Sequence, residues 1–147
     1  MILDQWQTAI ALPSSALIET WLEDCEPLRE EISTEYMVYA EGDIRSANGI
    51  MFVPGIGTHE DEGNLQFSSL LVLRNDGFLS KGEAQPDSSC IPQTPGTALI
   101  LDIHQPHHCL PENGNGWWIA AFSDWQHHPS REEVEVVLRT VLQRLGV

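Results

Sequence analysis

Two residues of this sequence combine a metal-binding nitrogen and a metal-binding oxygen at short spacing, namely His59 and Asp61. If residues 55–63 form a strand, side chains two positions apart point to the same side of the sheet, and Glu60 points to the other. One imidazole and one carboxylate would then face one point. A second histidine would complete the two-histidine, one-carboxylate arrangement that suits non-haem Fe(II). On its own the tripeptide is a weak signal, because most such residues are solvated surface residues.

A later segment offers the second histidine. Residues 96–111 begin at a glycine, run apolar and then present three candidates, His104, His107 and His108. Strand alternation would turn the second and third of these to opposite sides of a sheet. Because Pro106 disturbs that alternation, the residues alone leave the choice of third ligand open.

Together the two segments resemble the 2-oxoglutarate/Fe(II)-dependent oxygenase family, in which His-x-Asp is followed by a stretch of sheet, a strand and a distal histidine shortly before a proline. The resemblance covers about residues 50–125, and its matching pieces are His59, Asp61, the strand from Gly96 to Asp102, His107 and Pro111. It implies a prolyl-hydroxylase-like double-stranded β-helix in which His59, Asp61 and His107 are the catalytic metal ligands, with His108 as the alternative to His107. It also implies Fe(II) as the metal, with 2-oxoglutarate and dioxygen as co-substrates.

The far carboxylate of 2-oxoglutarate needs a cation, and the resemblance implies two positions for it. Many family members have an arginine shortly after the distal histidine, where this chain has Trp117. Others place the cation on the strand after His-x-Asp, and Arg74 fits that arrangement as the cofactor-binding residue. Alternation would put Arg74 on the face of Leu70 and Val72, where its guanidinium could hold a carboxylate with two hydrogen bonds. The alternative is that Arg74 enters solvent at the turn that follows.

Short strands between two helices are the elements expected to position these residues. Period-two patterns bounded by turn clusters such as Asn48-Gly49 predict about eight strands between residues 36 and 125. Apolar residues at helical spacing predict helices over residues 14–32, with a break or kink at Pro27, and over 130–145. Ser130 and Glu133 form a capping-box pattern. This order predicts a mainly β fold, an antiparallel cupin-like jelly-roll with both helices packed on a sheet.

Length and charge narrow the class of protein. The 147 residues fit a single domain, and 41% hydrophobic residues are ordinary for a globular protein. A net charge of -15 would repel a phosphate backbone, which makes nucleic acid a poor partner. The sequence has no apolar run of membrane-spanning length and no signal-peptide pattern at its start. Three cysteines without paired spacing predict reduced thiols and a cytoplasmic location.

These observations lead to one leading functional hypothesis and two alternatives. The first is an Fe(II)- and 2-oxoglutarate-dependent oxygenase that hydroxylates a small molecule or a peptide side chain. The second is a cupin-like metalloenzyme that uses no oxoacid, which Trp117 at the arginine position favours. The third is a non-catalytic jelly-roll binding module with incidental histidines. The sequence leaves the substrate and the oligomeric state open.

Overall fold

Two antiparallel β-sheets and two helices make up the described part of the protein. The computed structural model describes residues 2–31, 36–41, 48–53, 56–75, 78–81, 90–91, 94–111 and 117–147. The helices are α1 (Ser15–Glu31) and α2 (Arg131–Arg144). The strands are β1 (Ile2–Gln7), β2 (Tyr36–Glu41), β3 (Asn48–Val53), β4 (Ile56–His59), β5 (Phe67–Asn75), β6 (Phe78–Lys81), β7 (Cys90–Ile91), β8 (Thr97–Asp102), β9 (His107–Pro111) and β10 (Trp118–Trp125).

The strands divide between a larger sheet, with the order β1-β8-β5-β10-β3-β2, and a smaller sheet, with the order β4-β9-β6-β7. Within each sheet, every pair of neighbouring strands is antiparallel. From β3 to β6, and again from β8 to β10, consecutive strands alternate between the two sheets. The predicted mainly β architecture with two flanking helices is confirmed, and the strand order is that of a β-sandwich or jelly-roll.

The two faces of the larger sheet bury different sets of side chains. Because successive residues of a strand point to opposite faces, Leu71 and Leu73 of β5 lie on one side and Leu70 and Val72 on the other. The first side packs against α1 and α2 and is called the helix face. The second is called the inner face. The buried cluster of the inner face consists of Val53, Leu70, Val72, Leu99, Leu101, Ile103, Trp118, Ala120 and Phe122.

An apolar stripe anchors α1 to the helix face. The predicted stripe residues Ile18, Trp21, Leu22 and Cys25 are all buried. The predicted break at Pro27 is absent, because α1 continues to Glu31. A proline removes only one backbone donor from the helix and crowds the preceding turn. We attribute the continuation to the four buried side chains upstream, which hold the helix to the sheet before Pro27 is reached.

The start of α2 has the predicted capping box. The Ser130 hydroxyl accepts a hydrogen bond from the backbone N–H of Glu133 at 3.1 Å, and the Glu133 carboxylate accepts one from the Ser130 N–H at 3.1 Å. These bonds satisfy donors that the first turn of a helix leaves unpaired. The buried side of α2 consists of Val134, Leu138, Val141 and Leu142. Within the described ranges, neither helix has the length and apolar character needed to cross a membrane.

Candidate metal centre

Neighbouring strands of the smaller sheet bring two histidines face to face. His59 is the last residue of β4, His107 is the first residue of β9, and the two lie opposite each other in the antiparallel ladder. Residues directly opposite in such a pair lie close together on one face of the sheet. The ring centroids are 4.2 Å apart, with a tilt of 55° between the ring planes. The register thus places His107 on the same side as His59, which the bend at Pro106 had left undecided.

Asp61 reaches the same point from just beyond β4. The predicted strand over residues 55–63 ends at His59, so alternation along a strand does not by itself position this carboxylate. Instead, the Asp61 N–H donates to the carbonyl oxygen of Ile103 at 2.8 Å, which ties Asp61 to the turn between β8 and β9. Oδ1 of Asp61 lies 3.2 Å from Nε2 of His59 and 3.5 Å from Nε2 of His107.

These three ligand atoms have the spacing of one ion's coordination shell. All of them lie within 4.8 Å of one another. Bonds of about 2.0–2.2 Å from a divalent metal to nitrogen or oxygen put adjacent ligand atoms about 3 Å apart. The measured 3.2 and 3.5 Å separations therefore need only a small adjustment to hold a shared cation. Three protein ligands leave three positions of an octahedron open.

A backbone carbonyl orients the ring of His107. Its Nδ1 lies 2.8 Å from the carbonyl oxygen of Gln105. Because a carbonyl only accepts hydrogen bonds, Nδ1 carries the hydrogen, and in the neutral ring Nε2 presents its lone pair towards Asp61. Burial lowers the pKa of His107, with the nearby His59 adding to the effect, although the Gln105 carbonyl and Asp61 oppose it. A lone pair facing a carboxylate oxygen is an arrangement that a shared metal ion stabilises.

The side chains of the three residues at the centre differ in their exposure to solvent. The side chain of His107 is 12% exposed, whereas those of His59 and Asp61 are 32% and 41% exposed. His107 therefore forms the protected side of the site, and His59 and Asp61 form the side that faces solvent. A small ligand could approach the three open coordination positions from that side.

Arg74 is not brought to this centre. The pairing of β5 with β10 skips Leu73, which forms a β-bulge. Beyond the bulge Arg74 lies opposite Ile119, a residue of the helix face, and its guanidinium pairs with Glu19 of α1. The predicted alternation, which would turn Arg74 to the inner face, is therefore wrong. Its binding of 2-oxoglutarate stays a prediction that these contacts do not support.

The structure gives less support to the other histidines as metal ligands. His104 lies in the turn before β9, outside the cluster of three ligands, and its backbone N–H bonds to Asp102. The side chain of His108 lies outside the described residues, so only the register of β4 with β9 distinguishes it from His107. His127 is exposed and contacts Glu133 at 3.3 Å.

An aspartate that the motifs do not identify lies on the inner face of the larger sheet, near enough to Asp61 to be affected by its charge. Asp124 lies opposite Ser68 in the ladder between β10 and β5. Its position, an even number of residues after Trp118, puts it on the inner face. Burial raises the pKa of Asp124 to about 6, the Ser68 hydrogen bond lowers it, and the nearby charge of Asp61 raises it. The period-two pattern of β10 is the signal that could have identified this residue.

Comparisons with known proteins add little to this geometry. No protein-family model and no curated protein matches the chain. Among solved structures, a prolyl-4-hydroxylase from Pseudomonas putida is similar with a TM-score of 0.48 and 12% identity, over 85% of this chain and 93% of that chain. A proposed oxygenase from Shewanella oneidensis is similar with a TM-score of 0.34 and 14% identity, over 97% of this chain and 70% of that chain. At this level of similarity neither structure assigns a family or an activity to the protein.

Proposed function

We propose that this protein is an Fe(II)- and 2-oxoglutarate-dependent oxygenase whose metal is held by His59, Asp61 and His107. The observation that carries the proposal is the convergence of one ligand atom from each of His59, Asp61 and His107, all within 4.8 Å of one another. The alternation of strands between two sheets supports a double-stranded β-helix as the framework. The substrate would be a small molecule or a peptide side chain, and dioxygen would be the second co-substrate.

Each residue of the proposed centre has a separate task. The Gln105 carbonyl holds Nδ1–H of His107, so Nε2 is presented to the metal in a fixed orientation. Asp61 contributes the negative charge that partly neutralises a divalent ion. His59 supplies the third ligand atom, so that the three ligands would occupy one face of the metal's coordination octahedron. The bound iron and 2-oxoglutarate would supply the activation of dioxygen. Asp124, whose pKa is raised to about 6 mainly by burial, would be a further polar group of the inner face that a substrate could contact.

Succinate production tests the proposed activity directly. Purified protein supplied with Fe(II), 2-oxoglutarate and dioxygen is expected to release succinate, even slowly and without substrate. His59→Ala is expected to reduce this by at least about 100-fold, because a facial site loses one of its three anchors. His127→Ala is the matched control, since His127 is an exposed histidine that contacts Glu133. Undiminished succinate release by His59→Ala would exclude the assignment.

A metalloenzyme without an oxoacid is the second candidate. The observation that favours it is the pairing of Arg74 with Glu19 on the helix face, together with Trp117 at the position where many members of the resembled family have arginine. Anaerobic titration of the Fe(II)-loaded protein with 2-oxoglutarate separates the two proposals. Chelation by the oxoacid gives a weak visible charge-transfer band, and its absence in a protein that binds iron would favour the second candidate.

A non-catalytic binding module would bind no metal at these residues. A thermal-shift measurement with Mn(II) tests this, because a ligand that binds only the folded state stabilises it by about 2.7 kcal/mol at a concentration 100 times its Kd. We expect an increase in Tm for the wild type and none for His59→Ala. An equal Tm with and without Mn(II) in both proteins would favour the binding module.

A further inference from the structure

A partly buried carboxylate on the inner face has no cation beside it among the residues that the structure describes. The Ser68 hydroxyl donates a hydrogen bond to Asp124, and the charged group that acts on it is the carboxylate of Asp61, which repels it. An ionised carboxylate can accept about four hydrogen bonds, so the bond from Ser68 leaves capacity for further donors. Burial also destabilises the charge of Asp124 and raises its pKa to about 6, which a neighbouring cation would reverse.

A row of backbone hydrogen bonds connects the end of β10 to the candidate metal centre. The N–H of Gln66 donates to the carbonyl of Trp125 at 2.9 Å, and the N–H of Ile103 donates to the carbonyl of Gln66 at 2.9 Å. The N–H of Asp61 donates in turn to the carbonyl of Ile103 at 2.8 Å. Because neighbouring strands lie about 4.8 Å apart, the backbones of Trp125 and Asp61 are about 14 Å apart along this row. Asp124 directly precedes Trp125, so it lies at the same end of the larger sheet as the metal centre.

The described arginines belong to the other side of this sheet. Arg74 pairs with Glu19 of α1, and the others are residues of α2, namely Arg131, Arg139 and Arg144. Both helices pack against the helix face. Beside the centre, the exposed side chains of Glu60 and Glu62 add negative charge on both sides of Asp61 in the chain. The described charges around the centre therefore favour the approach of a cation.

We propose that Asp124 binds the protonated amine of an aliphatic substrate whose other end lies at the metal, an inference that rests on the metal centre of the proposed function and names its substrate class. A protonated primary amine brings a positive charge and three N–H donors to a carboxylate that has unused acceptor capacity. The span from Asp124 to the centre requires an aliphatic chain between the nitrogen and the reacting carbon. Asp124 would then be a positioning and specificity residue, outside the metal's own ligands.

Two probes of equal length and different charge test this inference. Pentylamine is protonated at about pH 7.5, as a lysine side chain is, and pentanol is its neutral counterpart. Binding to Mn(II)-loaded protein is measured by the paramagnetic broadening of the probe's proton resonances. The wild type is expected to bind pentylamine at least about 10-fold more tightly than pentanol, the value of one charged hydrogen bond. Asp124→Asn is expected to lose this preference, and Asp124→Glu, which retains the charge, is expected to keep part of it.

The matched control removes a different negative charge close to the centre. Glu62→Gln neutralises an exposed carboxylate next to Asp61, and it is expected to change the preference for pentylamine by less than about 2-fold. An equal loss in Glu62→Gln and Asp124→Asn would show that the preference comes from the overall negative charge, and it would overturn the inference. A preference that survives in Asp124→Asn would overturn it as well.

The broadening pattern in the wild type covers the case in which Asp124→Asn does not fold. Relaxation by Mn(II) falls steeply with distance, so the methyl end of pentylamine is expected to broaden more than the CH2 beside the nitrogen. Equal broadening along the chain, or the strongest broadening beside the nitrogen, overturns the inference. Nα-acetyl-lysine amide distinguishes two sources of such an amine, because tighter binding than pentylamine indicates a peptide side chain and equal or weaker binding indicates a small molecule.

The outcomes separate this inference from the proposed function. Wild-type protein that binds Mn(II) but binds pentylamine and pentanol equally overturns the inference, and the metal centre then stands. A wild type that binds no Mn(II) overturns both proposals.

Discussion

The two faces of the larger sheet each bury one tryptophan of β10, and the two indole N–H groups differ in their hydrogen bonding. On the helix face the indole N–H of Trp125 donates to Ser69, whose hydroxyl in turn donates to the carbonyl of Ser123 at 3.2 Å. On the inner face the N–H of Trp118 has no partner among the described residues. The first arrangement stabilises the fold. The second leaves a buried donor unpaired, which costs stability.

Ionisable groups also differ between the two sides. On the inner side burial raises the pKa of Asp124, and the nearby charge of Asp61 adds to the effect. Two ionised carboxylates near each other repel, and a nearby cation reduces that repulsion. On the helix side the one described arginine of β5, Arg74, is matched by Glu19. A bound divalent metal would therefore relieve a repulsion that is confined to the inner side.

The largest effect on stability is expected from the helix face. Leu138 of α2 is fully buried in the cluster on this face. Leu138→Ala is expected to lower the free energy of unfolding by about 2–5 kcal/mol in urea titrations, because it removes apolar contact and leaves a cavity. Val136→Ala, at a side chain that is 62% exposed, is the control and should change it by less than about 0.5 kcal/mol.

Leu138→Ala also tests whether a change on the helix face affects metal binding on the other side of the sheet. At a temperature where Leu138→Ala is still folded, it is expected to bind Mn(II) with the wild-type affinity, since none of the three proposed ligands lies on the helix face. A loss of metal binding in the folded variant would contradict the division into two independent faces.

A smaller, pH-dependent effect is expected on the inner face. A carboxyl whose pKa rises from 3.8 to about 6 on folding binds its proton more tightly in the folded state. Its contribution to stability is complete below about pH 4 and is lost as the pH rises through 6. Asp124→Asn removes this titration, so from pH 4 to 7 its free energy of unfolding should rise relative to wild type by about 1–3 kcal/mol.

Urea titrations across this pH range measure the difference between the two proteins. Glu23→Gln, at an exposed carboxyl of α1, is the control, and its free energy of unfolding should change with pH as that of the wild type does. Adding Mn(II) should shrink the difference between Asp124→Asn and wild type, because a nearby cation favours the ionised carboxyl. Parallel curves for Asp124→Asn and wild type would show that Asp124 is not held in the buried position described.

Local spacing identifies His59 and Asp61 as candidates, whereas the choice of His107 over His108 comes from the family resemblance and not from the residues alone. His59 and Asp61 are two positions apart, but the strand ends at His59, so alternation alone does not give them a common side. His107 opens the strand that pairs with β4. The hydrogen bond from Asp61 to Ile103 is a tertiary contact that no spacing rule indicates, although it fixes the carboxylate just beyond the end of the strand.

The errors in prediction also have local physical causes. One extra residue at the Leu73 bulge reverses the alternation that would otherwise turn Arg74 inwards. At Pro27 a strong helix-breaking signal is outweighed by the packing of the preceding stripe. Whether the Trp118 N–H has an acceptor depends on its tertiary neighbours, so the amino-acid pattern of β10 could not predict that it is unpaired among the described residues.

The smallest effect is expected from making the helix face resemble the inner face. Ser69→Ala removes the acceptor of the Trp125 N–H and should lower the free energy of unfolding by about 1–2 kcal/mol, since a buried donor then loses its partner. Ser69→Ala combined with Trp125→Phe should recover part of that loss, because the unpaired donor is gone. Neither change should alter Mn(II) or 2-oxoglutarate affinity. If the double variant is no more stable than Ser69→Ala, an unpaired indole N–H costs little stability in this protein.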